Sequence, residues 1–182
     1  MYRSIVTRLA SVAAAGATAV LLAGPAQAST GAAAGTVSGT EHISGVVFGR
    51  AAIANRPTYP LTFYGLVRTT SLFRPPATGP AVLPTPKGDL GARLVRPMRF
   101  HVISTDRSTC YGVFRFTSGL RVVTRLSTGV FKGATGRGTV SITQGAHFGR
   151  TSSGKCNFRG RPTSGKDAFN ALQARIALTL RR

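Results

Sequence analysis

The chain has 182 residues, and its 24 lysines and arginines against four acids give a formal charge of +20 at neutral pH. So few carboxylates all but exclude a paired-acid glycosidase site. Beyond the N-terminus, no stretch is apolar enough to suggest a membrane-spanning helix. A field of this size attracts polyanions with an affinity that falls steeply in salt.

The N-terminus reads as a Sec-type secretory signal. Arg3 and Arg8 form a short basic region, residues 9–22 are apolar, and Ala26-Gln27-Ala28 has the small-x-small pattern of a cleavage site after Ala28. Gly24-Pro25 stops the apolar run short of the about 20 residues a spanning helix needs. The two arginines are not adjacent, which argues against a twin-arginine signal, and no cysteine follows to accept a lipid. Cleavage leaves 154 residues, one ordinary domain, with 22 basic and four acidic residues and a charge of +18. The mature chain is expected outside the cell with no membrane span.

Residues 29–40 are small and polar and read as a flexible tail, so the domain is expected to cover 41–182. Its first strand is placed at 43–48 and broken at Asn55-Arg56-Pro57. Residues 61–73, rich in aromatic and β-branched side chains, suit a strand bent at Gly65. A proline-rich loop follows over 74–92. Pro75, Pro76, Pro80, Pro84 and Pro86 forbid helix and interior strand, and with Lys87 and Asp89 as the only charged groups between Arg74 and Arg93 it reads as an excursion in preference to a lid.

From 93 the pattern has period two. Met98, Phe100 and Val102 alternate with Arg99 and His101, Asp106-Arg107-Ser108 is a turn, and 110–116 returns as the second strand of an antiparallel hairpin. Residues 120–126 lead into Thr128-Gly129-Val130-Phe131-Lys132-Gly133-Ala134-Thr135-Gly136-Arg137-Gly138, read as a glycine-kinked turn before an outgoing strand at 139–143. Polar loops occupy 150–155 and 159–166. At the C-terminus, Phe169, Leu172, Ile176 and Leu180 fit a helical stripe, while Leu172, Ala174, Ile176, Leu178 and Leu180 alternate, and a closing strand is favoured. Seven or eight strands with little helix remove their edges best by closing, so an all-β, closed antiparallel barrel of about eight strands is expected.

Cys110 and Cys156 are both in the mature part, and in an oxidising compartment they are expected to form one disulfide. Closing a loop of 46 residues stabilises by about 3–4 kcal/mol on the chain-entropy account. Metal binding is the weaker reading, since neither cysteine has a partner at ligand spacing.

The run Thr128-Gly129-Val130-Phe131-Lys132-Gly133-Ala134-Thr135-Gly136 resembles a segment of the allene oxide cyclase and dirigent barrel proteins and of secreted actinobacterial proteins that share it. The resemblance covers about residues 110–145. It implies an eight-stranded antiparallel barrel with a central cavity, turned at Gly129, Gly133, Gly136 and Gly138, and a homo-oligomer as in plant members. Dirigent proteins guide phenoxy-radical coupling with cavity acids and the cyclases hold an apolar epoxide. None of Glu41, Asp89, Asp106 and Asp167 matches a cavity acid by motif.

No catalytic constellation is visible. Gly133 and Gly138 have phosphate-loop spacing, but Thr139 stands where the lysine belongs. His42, His101 and His147 are too far apart for a metal motif, and no serine has a nucleophile-elbow context. No metal or cofactor is expected. Two functions remain. One is a secreted barrel that binds a small apolar or aromatic molecule, or serves as an extracellular module. The other is a polyanion-binding protein using Arg93, Arg96, Arg99, Arg115, Arg121 and Arg125 as one basic face, with nucleic acid or an anionic wall polymer as partner. Scattered, solvated charge competes with that second reading, since lysine stands only at 87, 132, 155 and 166 and the arginines are spread along the chain. A dirigent or cyclase type of enzyme comes third.

Overall fold

The computed structural model describes residues 35–182. The expected signal, its cleavage site at Ala28 and the first part of the tail lie outside the described residues. Chain order is β1 Thr36–Phe48, the short helix α1 Gly49–Ala52, β2 Tyr59–Tyr64, β3 Thr69–Phe73, β4 Ala81–Leu83, β5 Leu90–Leu94, β6 Arg99–Asp106, β7 Tyr111–Val122, two 3-10 turns at Thr124–Leu126 and Gly129–Phe131, β8 Thr135–Phe148 and β9 Pro162–Arg181.

All pairings are antiparallel, in the order β3-β2-β1-β9-β8-β7-β5-β4, with β6 also on β7. β5 and β6 are two halves of one strand. β7 pairs through Leu120–Val122 with β5 and through residues 111–117 with β6, and the connection Val95-Arg96-Pro97-Met98 bulges out between them, where Pro97 has no N–H to give a ladder. The sheet is therefore an eight-strand barrel, nearly closed, with a seam between β3 and β4.

The alternation expected of the C-terminus is what forms. On β9, Ala168, Asn170, Leu172, Ala174, Ile176, Leu178 and Leu180 are buried, while β1 pairs one edge from Thr36↔Arg181 to Phe48↔Phe169 and β8 pairs the other. The helical stripe would have grouped Phe169 with Leu172; in the strand they point to opposite faces. Ile43, Phe63, Leu120, Val140 and Phe131 complete the core, with the rings of Phe63 and Phe131 6.3 Å apart. One end is closed by Tyr59, whose hydroxyl donates to Asn170 Oδ1 at 2.7 Å, while Asn170 Nδ2 donates to the Ala52 carbonyl.

Several expected boundaries are corrected. Residues 61–73 are not one bent strand but the antiparallel pair β2 and β3, and the expected loop at 159–166 gives way to β9 at Pro162. Residues 36–40 are not tail but the start of β1; they bury little, yet each pairs with β9, and Ser38 and Thr179 share a hydroxyl hydrogen bond at 2.8 Å. The 74–92 loop contains β4 and the start of β5. Pro80 and Pro84 flank a three-residue strand on the seam, where a free edge tolerates proline. Strand β7 stops at Val122, so residues 123–126 are not strand.

The glycine run also differs from a simple hairpin turn. Gly129 (φ +55°) and Gly133 (φ +73°) adopt left-handed conformations, but Gly136 and Gly138 lie inside β8. Gly129 meets Gly88 (φ +123°) backbone to backbone, so that a Cβ on either would strike the other segment. The Val130 N–H donates to the Lys87 carbonyl, and the Thr128 N–H to the Asp89 carbonyl, both at 2.9 Å. The end of the proline-rich loop is thus docked on the glycine turn. At Gly138 the reason for glycine is close approach, since a Cβ there falls on the Arg175 carbonyl of β9.

Cys110 and Cys156 are bonded and tie the β6–β7 turn to the β8–β9 loop. Replacing both by serine should lower stability by about 3–4 kcal/mol, and reduction should add two hydrogens to the intact mass. Gly138→Ala should cost about 1–3 kcal/mol from overpacking, whereas Gly119→Ala, whose new Cβ has ordinary contacts, should stay within about 0.5 kcal/mol. Urea unfolding midpoints of the variants check these figures.

Candidate functional site

Two concavities exploit the two faces of the same strands. Inside the barrel is a cavity of about 280 Å³. Ile43, Leu90, Leu120, Val140, Leu172 and Ile176 line it from five strands, and Met98 adds a flexible thioether at the side. Its roof is 75–79, the linker that crosses the seam from β3 to β4. The expected excursion is therefore a cover, and its later part is the docked segment at Gly88. Polarity along the lining is confined to Thr78 and Arg93 at the roof and rim. A dry wall of this kind selects by shape and hydrophobicity.

The barrel's outer face carries a groove of about 850 Å³. Its floor is made by residues that alternate with the core: Thr139 and Ser141 flank buried Val140, Gln173 and Arg175 flank buried Ala174, and His42 and Ser44 flank buried Ile43. The wall is the Val95-Arg96-Pro97 bulge, fixed because Ser118 Oγ donates to the Arg96 carbonyl at 2.7 Å and the Val95 N–H to the Gly119 carbonyl at 2.9 Å. Arg96, Arg99, Arg137 and Arg175 line this groove, and no carboxylate does.

The expected basic face is brought together in part. Arg93 stands opposite Arg121, and Arg121 opposite Arg137, on three neighbouring strands. Arg99 faces Thr117 and Arg115 faces His101 on the adjoining stretch of sheet. Arg96 is in the wall. Arg125 sits in a 3-10 turn, off the strand rows. Arg137 and Arg175 were not among the residues expected on this face, although each is exposed in a period-two run, because which strands lie beside them is set by long-range register.

The histidines serve separate local structures. His42 stacks on Tyr64 with ring centroids 5.0 Å apart, His147 packs edge-on to Tyr111, and His101 is exposed on β6. Among the described residues, no three His, Cys, Asp or Glu side chains are grouped to hold a metal. Asp106 is bound by the hydroxyls of Ser108 and Thr109, which hold its carboxyl down at about 2, and so it caps its own turn. Burial pushes the Tyr59 phenol up to about 12.

Glu41 is the unexpected group. It is fully buried on the inner side of β1, with Oε2 accepting the Val67 N–H at 2.9 Å and Oε1 without a partner. It does not line the cavity. Loss of hydration raises its pKa, against the lowering effect of the Val67 and Leu66 backbone hydrogen bonds.

Compared with models of protein families, with curated proteins and with solved structures, the chain matches none.

Because the folded carboxyl of Glu41 keeps its proton to higher pH than the unfolded one, its protonation favours the fold. That contribution is complete below the ordinary glutamate pKa and is lost as pH rises through the raised value. Glu41→Gln should therefore match the parent protein below about pH 4 and melt at a higher temperature near pH 8. Thermal unfolding of both proteins across that range checks it; a parent as stable as the variant near pH 8 refutes the assignment.

Proposed function

We propose that this chain is a secreted, strongly basic, non-catalytic β-barrel protein that holds a small apolar or aromatic molecule in its lumen. The observation that carries the reading is the cavity of about 280 Å³ with apolar walls and a linker for a roof. A cavity of about 150 Å³ takes benzene and drug-sized ligands begin near about 300 Å³, so the size suits a molecule of about two rings. Export is supported by the basic, apolar and small-x-small series before Ser29 and by the bonded cysteine pair. No helix among the described residues is long and apolar enough to cross a membrane.

Kinship with the allene oxide cyclase and dirigent barrels belongs to the proposal and rests on the run from Thr128 to Gly136. The binding reading is favoured over dirigent chemistry because the residues lining the cavity include no carboxylate.

Titration with 2-naphthol, neutral at pH 7 and fluorescent, tests the reading. Saturable one-to-one binding is expected, and Ala92→Leu, which puts extra atoms into the cavity from β5, should abolish it while the barrel still melts cooperatively. If binding is absent in the parent, or is unchanged in the Leu variant, the lumen is not the site.

A further inference from the structure

We infer that the outer groove is a binding site for an acidic carbohydrate polymer, a hydroxylated chain bearing carboxylate or sulphate groups. The inference does not rest on the lumen reading: the arginines and floor side chains it uses alternate with the lumen's apolar set, although Ile43, Leu120, Val140 and Ala174 border both concavities.

The first argument is electrostatic. Arginines directly opposite one another in an antiparallel sheet repel, and such pairs are destabilising. Here Arg93, Arg121 and Arg137 form an unbroken row across β5, β7 and β8, beside a groove that adds Arg96, Arg99 and Arg175. With no acid in the lining, the repulsion is relieved by nothing in the groove itself. A polyanion lying across these strands relieves it at several points at once, and the guanidinium fork matches carboxylate and sulphate oxygens two at a time.

The second argument concerns what lies between the charges. The floor presents Ser44, Thr139, Ser141 and Gln173, side chains that both donate and accept hydrogen bonds, as sugar hydroxyls do. Register places Thr139 beside Arg175 and Arg175 beside His42, so that polar contacts and charge alternate across the sheet. Strand register thus groups these arginines around a formed concavity of about 850 Å³.

The third argument selects among polyanions. Single-stranded nucleic acid is held by a succession of aromatic side chains on which bases stack. This groove has one aromatic pair, His42 and Tyr64, and those rings lie nearly parallel at 7° and are stacked on each other. Tyr64 is 47% exposed and leaves one apolar ring face for a sugar at the groove's end. One platform with a hydroxyl-rich floor suits a sugar chain better than a run of bases.

The test uses the intact protein at about 150 mM salt, where loose surface attraction is largely screened. The probes are a fluorescent heparin oligosaccharide, polygalacturonate as the carboxylate-only probe, and oligo-dT as the nucleic-acid competitor. Saturable binding to heparin or polygalacturonate is expected, and the stronger of the two identifies sulphate or carboxylate as the preferred charge. Arg137→Gln with Arg175→Gln should weaken it about tenfold or more, while Arg50→Gln with Arg56→Gln, which removes the same charge from exposed positions elsewhere, should change it less than about threefold. If the first pair fails to fold, Arg96→Gln with Arg99→Gln replaces it, since Arg96 lies in the bulge and Arg99 opens β6 beside it. Equal losses in the groove and control pairs, or no saturable binding to either carbohydrate, overturn the site. Tighter binding of oligo-dT overturns the assigned occupant.

Discussion

The whole barrel depends on β9 being hydrogen-bonded along both edges. A strand of 20 residues exposes a long row of donors and acceptors, and leaving them unpaired in a small domain would cost far more than any side-chain contact repays. β1 and β8 satisfy the two rows. Their registers then decide which side chain of every neighbour faces inward, because a slip of one residue would send the apolar set to solvent. Closure, the position of the lumen and the placing of the outer arginines all follow from that single double-sided ladder.

Closeness of the backbones is the second constraint. Gly138 lets β8 approach β9 where a side chain would meet the Arg175 carbonyl, and Gly88 and Gly129 let two loops lie against each other with their peptide groups bonded directly. These contacts join the proline-rich segment to the turn before β8. The cover of the cavity is therefore tethered at its far end and spans the seam at its near end. Glu41 sits at a different tight place, beside the backbone of Val67, and shows that the interior tolerates a polar group where an N–H is available to it.

The architecture was legible because its largest signals are periodic. Leu172 to Leu180 and Phe100 to Val102 alternate plainly, and the cysteine pair needs only an oxidising compartment to be paired. What escaped had no side-chain signature. Residues 36–40 are held by backbone pairing with almost no apolar content, so composition classes them as tail. Pro97 interrupts β5 and β6, yet its effect is visible only when both halves are seen on β7. For the groove, Arg93, Arg99 and Arg121 were legible as exposed members of strands, but their neighbours across the sheet are set by register. Register depends on pairings among residues more than a hundred positions apart, such as His42 with Arg175. The buried state of Glu41 is hidden in the same way.

Alternation gives the lumen and the groove adjacent owners: Val140 beside Thr139, Ala174 beside Arg175, Ile43 beside His42. Substitution of an outward side chain such as Thr139 or Arg175 retunes the groove alone, whereas Ile43, Leu120, Val140 and Ala174 border both concavities. A residue inserted or deleted within β9 and not absorbed by a bulge would turn that strand's remaining side chains over, placing Arg175 inside and leucines outside. Changes in length are therefore best tolerated in the connections, above all 150–161 and the roof, while the central strands accept substitutions more readily than insertions.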